Sequence, residues 1–258
     1  SHGVPRSLHP TMVRSALSES LPPQSPRISS RASTGRRRRR IRLELDDGTT
    51  LDLSPTVLDQ FPLYEGDTVD AALQAQLLDA DLRHRCRETA LSLLDVRARS
   101  RTELARRLRD KEFPAGVIRD LLDDFEERGW LDDAAFARAL ARDRIRFKPR
   151  APVRLHQELQ RRGVDSDVAD EQIQRVMREE ETSPDQLART AAEAWLRRQG
   201  HSVQQALART EWHETTEKAK RRLLNHLARR GFRGSPAIAA LDAARALARQ
   251  WVAERPDP

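Results

Sequence analysis

Residues 97–113 have the sequence RARSRTELARRLRDKEF, which has the features of a capped basic helix. Ser100 predicts the N-cap, and Glu103, three residues later, predicts a capping box. Leu104 and Leu108 lie one helical turn apart and are expected to form the buried stripe. The stretch therefore predicts an amphipathic helix whose cationic side chains face water or a partner.

The same pattern occurs twice more along the chain. Its three copies are Leu104-x3-Leu108-x2-Lys111-Glu112-Phe113, Leu155-x3-Leu159-x2-Arg162-Gly163-Val164 and Leu223-x3-Leu227-x2-Arg230-Gly231-Phe232. A cation near the last carbonyls, followed by a glycine in the left-handed conformation, is typical of a helix C-terminal cap. Copies spaced by 51 and 68 residues indicate one supersecondary unit that is used three times.

The composition indicates a helical protein with a large charged surface. Of the 258 residues, 38% are hydrophobic and 34% are charged, and no apolar run approaches the roughly 20 residues that span a bilayer. The first residues also lack the apolar segment of a signal peptide. We therefore expect a cytoplasmic protein without membrane contact. The single cysteine, Cys86, excludes an intramolecular disulfide and a multi-cysteine metal site.

The N-terminal 40 residues carry most of the excess positive charge. They hold nine arginines and one acid, whereas the whole chain has a net charge of +7. Because they are rich in Ser, Pro and Arg without an apolar period, we predict that residues 1–40 form a disordered basic arm. The arm ends in a run of five arginines: Arg36, Arg37, Arg38, Arg39 and Arg40. This run is either a solvated linker or a non-specific DNA-binding element that contacts phosphates.

Residues 41–81 predict a small hairpin followed by helices. Apolar and polar residues alternate over residues 41–45 and 51–53, and Asp46-Asp47-Gly48 between them is a hairpin turn signal. Ser54-Pro55 then predicts a short helix. A further helix is expected over residues 69–78, and residues 79–81 break or bend it.

The remainder is predicted to be three helical repeats, at residues 82–131, 132–182 and 183–258. The first repeat has helices near residues 82–96, 101–111 and 116–127, and the second near 134–147, 153–162 and 166–178. The third has a helix ending near residue 199, a looser stretch over 200–216, and helices near 217–230 and 236–252. The predicted fold is thus all-α, with three tandem three-helix repeats in an elongated curved body.

We find no catalytic constellation in the sequence. It has no phosphate-binding glycine loop and no His-x3-His pair. The acid pairs Asp123-Asp124 and Asp132-Asp133 suggest Mg²⁺-dependent nuclease chemistry, but adjacent carboxylates on a helix point in different directions, and Asp132 or Asp133 is better explained as a helix cap. We therefore expect a protein that is not an enzyme and has no cofactor or metal.

What remains is a cationic binding surface in the first two repeats. In arrays of helical repeats the second helices and inter-repeat turns tend to line one face, which suits a long polyanion or a filament. Alternatively, many of these cations are solvated or paired with acids one turn away. The candidates are Arg97, Arg99, Arg106, Arg107, Arg142, Arg144, Arg146, Lys148, Arg150, Arg154, Arg161 and Arg162.

The composite pattern of residues 82–250 resembles the RecX family, the bacterial regulators of the RecA recombinase. The resemblance is carried by Arg97-x-Arg99-Ser100-x2-Glu103-Leu104-x3-Leu108-x2-Lys111, Gly129-Trp130-Leu131-Asp132-Asp133-x2-Phe136-Ala137, Arg144-x3-Lys148 and Pro152-x-Arg154-Leu155-x2-Glu158-Leu159-x2-Arg162-Gly163-Val164. It implies three tandem three-helix repeats without enzymatic activity. It also implies a monomer that binds RecA and its single-stranded DNA filament, with weak non-specific nucleic-acid binding, and that damps the ATPase and strand exchange of RecA during recombination, DNA repair and the SOS response.

Two features depart from the family pattern. Glu112 replaces the glycine that usually follows the cation, and a non-glycine residue in the left-handed region is disfavoured by about 1 kcal/mol. We therefore expect the first cap to adopt another geometry. Pro149 and Ala151 replace a glycine-rich turn, which predicts a stiffer connection between the first two repeats.

The alternative is a DNA-binding protein of the helix-turn-helix type that acts without RecA. A recognition helix places Arg, Asn or Gln at base edges. Here the predicted third helix of the first repeat, residues 116–127, carries an acidic face that would repel DNA. The sequence therefore favours the RecA regulator.

Overall fold

The computed structural model describes residues 25–34 and 40–254. The chain divides into two compact units, Ser1–His84 and Arg85–Pro258. The all-α fold class is confirmed, with a small N-terminal sheet and tandem three-helix repeats. No helix within the described residues has the length and apolar character needed to cross a membrane.

The first unit is built on a three-stranded antiparallel sheet in the order β1-β2-β3, with strands β1 (Ile28–Thr34), β2 (Arg40–Leu45) and β3 (Thr50–Leu53). Leu43 pairs with Leu51 across the predicted hairpin, and both side chains are buried. A short helix, α1 (Pro55–Gln60), begins after Ser54, as predicted.

The prediction of a disordered arm is wrong for residues 25–34, because residues 28–34 form β1. This edge strand pairs along β2, and its one large apolar residue, Ile28, is buried in the core of the unit. The remaining residues of β1 are small or polar, so the strand shows no apolar period. Most of the predicted arm, residues 1–24 and 35–39, lies outside the described residues.

Helix α2 (Ala71–Val96) is continuous, although the sequence predicted a break or bend at residues 79–81. Asp81 is buried within it and accepts hydrogen bonds from the backbone N–H and the hydroxyl of Ser54, both at 2.7 Å. Arg40 donates to the same carboxylate at 2.9 Å. Burial opposes the ionisation of Asp81, but the hydrogen bonds from Arg40 and Ser54 outweigh it and lower the pKa of Asp81.

The second unit contains nine further helices within the described residues. The first repeat uses the end of α2 with α3 (Arg101–Arg109) and α4 (Ala115–Glu127), and the second uses α5 (Asp133–Phe147), α6 (Pro152–Arg161) and α7 (Ser166–Glu179). The third contains α8 (Pro184–Leu196), α9 (His201–Ala208), α10 (Glu214–Arg229) and α11 (Ser235–Glu254). Helix α9 and the start of α10 fall in the stretch that was predicted to be loose.

One apolar core extends through the second and third repeats, from Phe136 to Ala244. In the first repeat Phe125 is fully buried, and the guanidinium of Arg87 lies 5.3 Å from its ring and 5.0 Å from the ring of Trp130. Cys86 is also fully buried, and this burial raises the pKa of its thiol to about 11. The thiol is therefore a packing group.

Candidate functional site

Helices α3, α6 and α10 carry the three copies of the Leu-x3-Leu pattern and are called here the signature helices. Their six leucines are fully buried: Leu104, Leu108, Leu155, Leu159, Leu223 and Leu227. With these residues fixed in the core, Arg106, Arg107, Arg109 and Lys111 at α3 lie on the surface, as the sequence predicted.

Each signature helix ends in the same cap. After the helix, the N–H of Phe113, Val164 or Phe232 donates to the carbonyl five residues earlier, at 3.0–3.3 Å. The preceding residue has φ of 80° at Gly163 and 89° at Gly231. Glu112 takes the same conformation with φ of 65°, so the expectation of another geometry at the first cap is wrong.

The N-cap of α3 is as predicted, but the capping box is not. Ser100 accepts a hydrogen bond from the N–H of Glu103 at 3.1 Å. The carboxylate of Glu103, however, is bound by Arg97 and Arg99. The carboxylate therefore binds the two arginines that precede the N-cap and not the backbone N–H of Ser100.

The signature helices are joined end to end. Ser100 donates its hydroxyl proton to the carbonyl of Arg162, and Thr102 donates to the carbonyl of Gly163 at 3.0 Å, so α3 begins where α6 ends. In the same way, the N–H of Ala151 donates to the carbonyl of Arg230 at 3.0 Å, so α6 begins where α10 ends. The three signature helices thus form one hydrogen-bonded series, and their cations lie along it.

Glu158 is the acid around which the predicted cations of the second repeat gather. Its carboxylate accepts from Arg144 at 2.8 Å, is bound by Arg150, and lies 3.6 Å from Arg162. Its side chain is 15% exposed. Burial opposes its ionisation, but the hydrogen bond from Arg144 and the charges of all three arginines outweigh burial and lower the pKa of Glu158.

Seven of the twelve candidate cations are therefore engaged by acids of this chain. Arg97 and Arg99 bind Glu103, and Arg99 is only 8% exposed. Arg142 binds Glu179 and Glu180, while Arg144, Arg150 and Arg162 surround Glu158. Arg146 also binds Glu180, at 2.8 Å. The charges of these side chains are already paired within the chain, so they are less available to a partner than the sequence suggested.

Four candidates remain exposed without an ion pair to a described residue. Arg154 differs from both groups, because it donates to the neutral side-chain amide of Gln157 at 3.1 Å. We call the four exposed residues the unpaired candidates: Arg106, Arg107, Lys148 and Arg161. Three of them lie on signature helices, where they can contact a polyanion without first breaking an internal ion pair.

The predicted arginine run, residues 36–40, contributes one residue to the described structure. Arg40 belongs to β2 and is bound to Asp81, so the prediction that it is a free phosphate contact is not supported by its placement. Arg36, Arg37, Arg38 and Arg39 lie outside the described residues.

Sequence reasoning missed the cations of the third repeat. Arg229 and Arg233 are exposed on either side of Gly231 and line a surface cleft together with Arg154. The signal was present, because Arg229-Arg230-Gly231-Phe232-Arg233 is the end of the third copy of the pattern. The sequence pattern predicted a binding surface in the first two repeats only.

The acids considered for nuclease chemistry are occupied by internal partners. Arg101 binds Asp123 at 2.6 Å, and Asp124 is bound by Arg87 at 2.8 Å. Asp132 caps α5 by accepting from the N–H of Ala135 at 2.8 Å, as predicted. Within the described residues, no three His, Cys, Asp or Glu side chains come together as metal ligands.

A chain of tandem three-helix repeats with cationic signature helices has the architecture of a helical-repeat protein. Family models described as RecX, first three-helix domain, and RecX, second three-helix domain, match residues 86–125 and 132–172. The regulatory protein RecX of Corynebacterium efficiens is 31% identical over 194 residues, which are 74% of this chain and 84% of that protein. The chain belongs to the RecX family of regulatory proteins.

Two further similarities agree with this assignment. The regulatory protein RecX of Thermobifida fusca is 38% identical over 152 residues, covering 59% of this chain and 74% of that protein. A crystal structure of regulatory protein RecX superposes with a TM-score of 0.57, covering 84% of this chain and 99% of that chain at 20% identity. The latter supports the fold alone.

Proposed function

We propose that this protein is a non-enzymatic regulator of the RecA recombinase. It binds the RecA–DNA filament and damps the ATPase and the strand exchange of RecA. Membership of the RecX family supports this proposal, together with the resemblance on which the sequence prediction was based. A monomer in the cytoplasm, acting on RecA during recombination and repair, is part of the same proposal.

The observation that carries the proposal is the pairing state of the cations. Acids of this chain already bind most of the predicted arginines, whereas Arg106, Arg107 and Arg161 on the signature helices are exposed and unpaired with described residues. Exposed cations contribute little to folding stability. They are available to the acids of a protein filament or to its DNA phosphates, so a binding role accounts for their position.

The ATPase of the cognate RecA on single-stranded DNA tests the proposal. We expect the whole protein to suppress the ATPase at substoichiometric amounts relative to RecA. A protein that merely coats DNA would lose its effect when single-stranded DNA is added in excess over RecA. An ATPase that stays unchanged, or an effect that excess DNA removes, would show that the protein acts on DNA and not on RecA.

The arginine run is a second, accessory proposal. We propose that Arg36, Arg37, Arg38 and Arg39 add non-specific phosphate contacts, each of which makes the affinity for DNA more dependent on salt. Replacing these four arginines with serine in the full chain should lower the affinity for DNA and leave the suppression of the ATPase in place. Loss of the suppression would instead assign the arm to RecA.

A further inference from the structure

A surface cleft lies where α6 begins and α10 ends. Its volume is about 460 Å³, and it is lined by Val153, Arg154, Gln157, Ala228, Arg229, Gly231 and Arg233. We call it the α6/α10 cleft. It arises from the junction between the second and third repeats, in which the backbone of Ala151 is bonded to that of Arg230.

All the charged side chains that line the cleft are positive. Arg154, Arg229 and Arg233 contribute three guanidinium groups, and no Asp or Glu lines the cleft. Arg154 is bonded only to the neutral amide of Gln157, and Arg229 and Arg233 form no ion pair with a described residue. Three unneutralised guanidiniums on one cleft repel each other, and an anion between them removes this repulsion.

The backbone around the cleft also favours an anion. The N–H of Val153, in the first turn of α6, has no hydrogen-bond partner among the described residues. At the end of α10, by contrast, the carbonyls of Leu227, Ala228 and Arg230 all accept hydrogen bonds. A donor at the start of α6 is therefore free, while the acceptors at the end of α10 are largely satisfied.

We infer that the α6/α10 cleft binds the phosphodiester backbone of single-stranded DNA. Guanidinium groups match the oxygens of a phosphate by paired hydrogen bonds. Val153 is 56% exposed at the cleft and offers an apolar surface to a sugar or a base. Arg161 lies seven residues after Arg154 on α6, about 10 Å further along the helix axis, so one polyanion can reach both residues. The inference deepens the proposed function by naming the partner of this site.

Charge reversal in the cleft tests the inference without RecA. The probe is a fluorescein-labelled oligothymidylate of 30 nucleotides, and its binding to the full chain is followed by fluorescence anisotropy. The test variant is Arg229→Glu with Arg233→Glu. The matched control is Arg178→Glu with Arg189→Glu, which changes the net charge equally at exposed residues of α7 and α8 that have no ion pair with a described residue.

We expect the cleft variant to bind the oligonucleotide at least tenfold more weakly than the control at 0.1 M salt. The slope of log affinity against log salt should fall by about 1.4, since each lost single-strand phosphate contact removes about 0.7. Equal affinities of the two variants would overturn the inference, because net charge would then account for binding. Equal thermal unfolding midpoints of the two variants exclude loss of the fold as the cause.

Two further measurements separate this site from other anion sites. Inorganic phosphate at a few millimolar and constant ionic strength should not displace the oligonucleotide; displacement would assign the cleft to a small anion. The cleft variant is also tested in the RecA ATPase assay. If it binds DNA normally but no longer suppresses the ATPase, the cleft contacts acids of RecA and the inference fails. If the wild-type protein has no effect on RecA, the proposed function fails, but the cleft is still assigned by the anisotropy.

Discussion

Gly163 and Glu112 occupy equivalent caps but differ in what lies against them. A Cβ at residue 163 would overlap the Cβ of Thr102, whereas Glu112 is exposed at the end of α3. Gly231 has the same constraint as Gly163, because a Cβ there would come within 2.9 Å of the Cβ of Arg154. Glycine is therefore required where one signature helix meets the next, and α3 is the helix whose end carries no such junction in the described residues.

Replacement of Gly163 by alanine should destabilise the protein by about 2–5 kcal/mol. The left-handed conformation contributes about 1–2 kcal/mol of this loss, and the overlap with Thr102 contributes about 1–3 kcal/mol. Urea denaturation followed by circular dichroism measures the difference. The control is Glu112→Gly, which relieves the left-handed strain at an exposed position and should raise stability by up to about 1 kcal/mol. Equal effects at the two caps would contradict the role of the junction.

Glu158 should make stability depend on pH in a defined direction. Because its pKa is lower in the folded state, its contribution is fully present above the unfolded pKa of glutamate, about 4.3, and is lost as the pH falls through the folded pKa. Glu158→Gln should therefore lose about 2 kcal/mol at pH 7, since three arginines keep their charges without their acid. The difference from wild type should shrink below pH 4.

Urea denaturation of both proteins from pH 7 to pH 3 measures this dependence. The control is Glu217→Gln, because Glu217 is 47% exposed and bound only to Lys220, so its loss should change stability by less than about 0.5 kcal/mol. A Glu158→Gln difference that is constant across the range would show that the carboxylate charge is not the stabilising feature.

At the scale of the helix, Ser100 serves two elements at once. It caps α3 and donates to the carbonyl of Arg162 at the end of α6. Ser100→Ala should therefore lose about 1 kcal/mol for the cap and a further 1–2 kcal/mol or so for the carbonyl left without its donor. Ser183 caps α8 alone, by accepting from Gln186 at 3.2 Å. Ser183→Ala should lose about 1 kcal/mol, and thermal or urea unfolding that ranks the two variants equally would contradict the double role.

The sequence was sufficient for elements that carry their own apolar period. The signature helices and α4 alternate buried and exposed residues every turn, so their existence and buried faces could be predicted from local sequence. Strand β1 and helix α9 could not, because each buries few side chains: Ile28 in β1, and Ala206 with Leu207 in α9. Both elements are stabilised by packing on residues that are distant in sequence, and a local pattern does not reveal those contacts.

The same limit explains what was missed at the candidate site. Pairing was considered only with acids one turn away, yet Arg144 binds Glu158 fourteen residues later and Arg142 binds Glu179 thirty-seven residues later. Helices α5, α6 and α7 bring these charges together only after packing. Which cations would remain unpaired could therefore not be predicted, although their residue type and the signature helices could.

Across the second unit, acids and cations are paired unequally. The acids of α4 are bound by arginines, as in the pairs of Arg101 with Asp123 and Arg87 with Asp124. The unpaired candidates Arg106, Arg107 and Arg161 have no such partners. The exposed charge of the signature helices is thus more positive than the composition of the unit suggests, and a polyanionic partner would meet these helices first.

Two variants of the whole protein separate the effect of where the cations lie from the effect of net charge. Replacing the unpaired candidates Arg106, Arg107, Lys148 and Arg161 with glutamine lowers the formal net charge from +7 to +3. Replacing Arg85, Arg178, Arg189 and Arg249 with glutamine has the same effect on net charge, and these four are also exposed without an ion pair to a described residue.

The first variant should need at least tenfold more protein to half-suppress the RecA ATPase at 0.15 M salt, because it lacks cations that contact the filament. The second should stay within about twofold of wild type, since charges further than about 8 Å from the partner are screened at this salt. Lowering the salt to 0.01 M weakens screening, because the Debye length grows to about 30 Å. The second variant should then suppress the ATPase less well too. Equal weakening of both variants at 0.15 M would instead mean that the filament responds to the total charge of the protein, and that the signature helices confer no specificity.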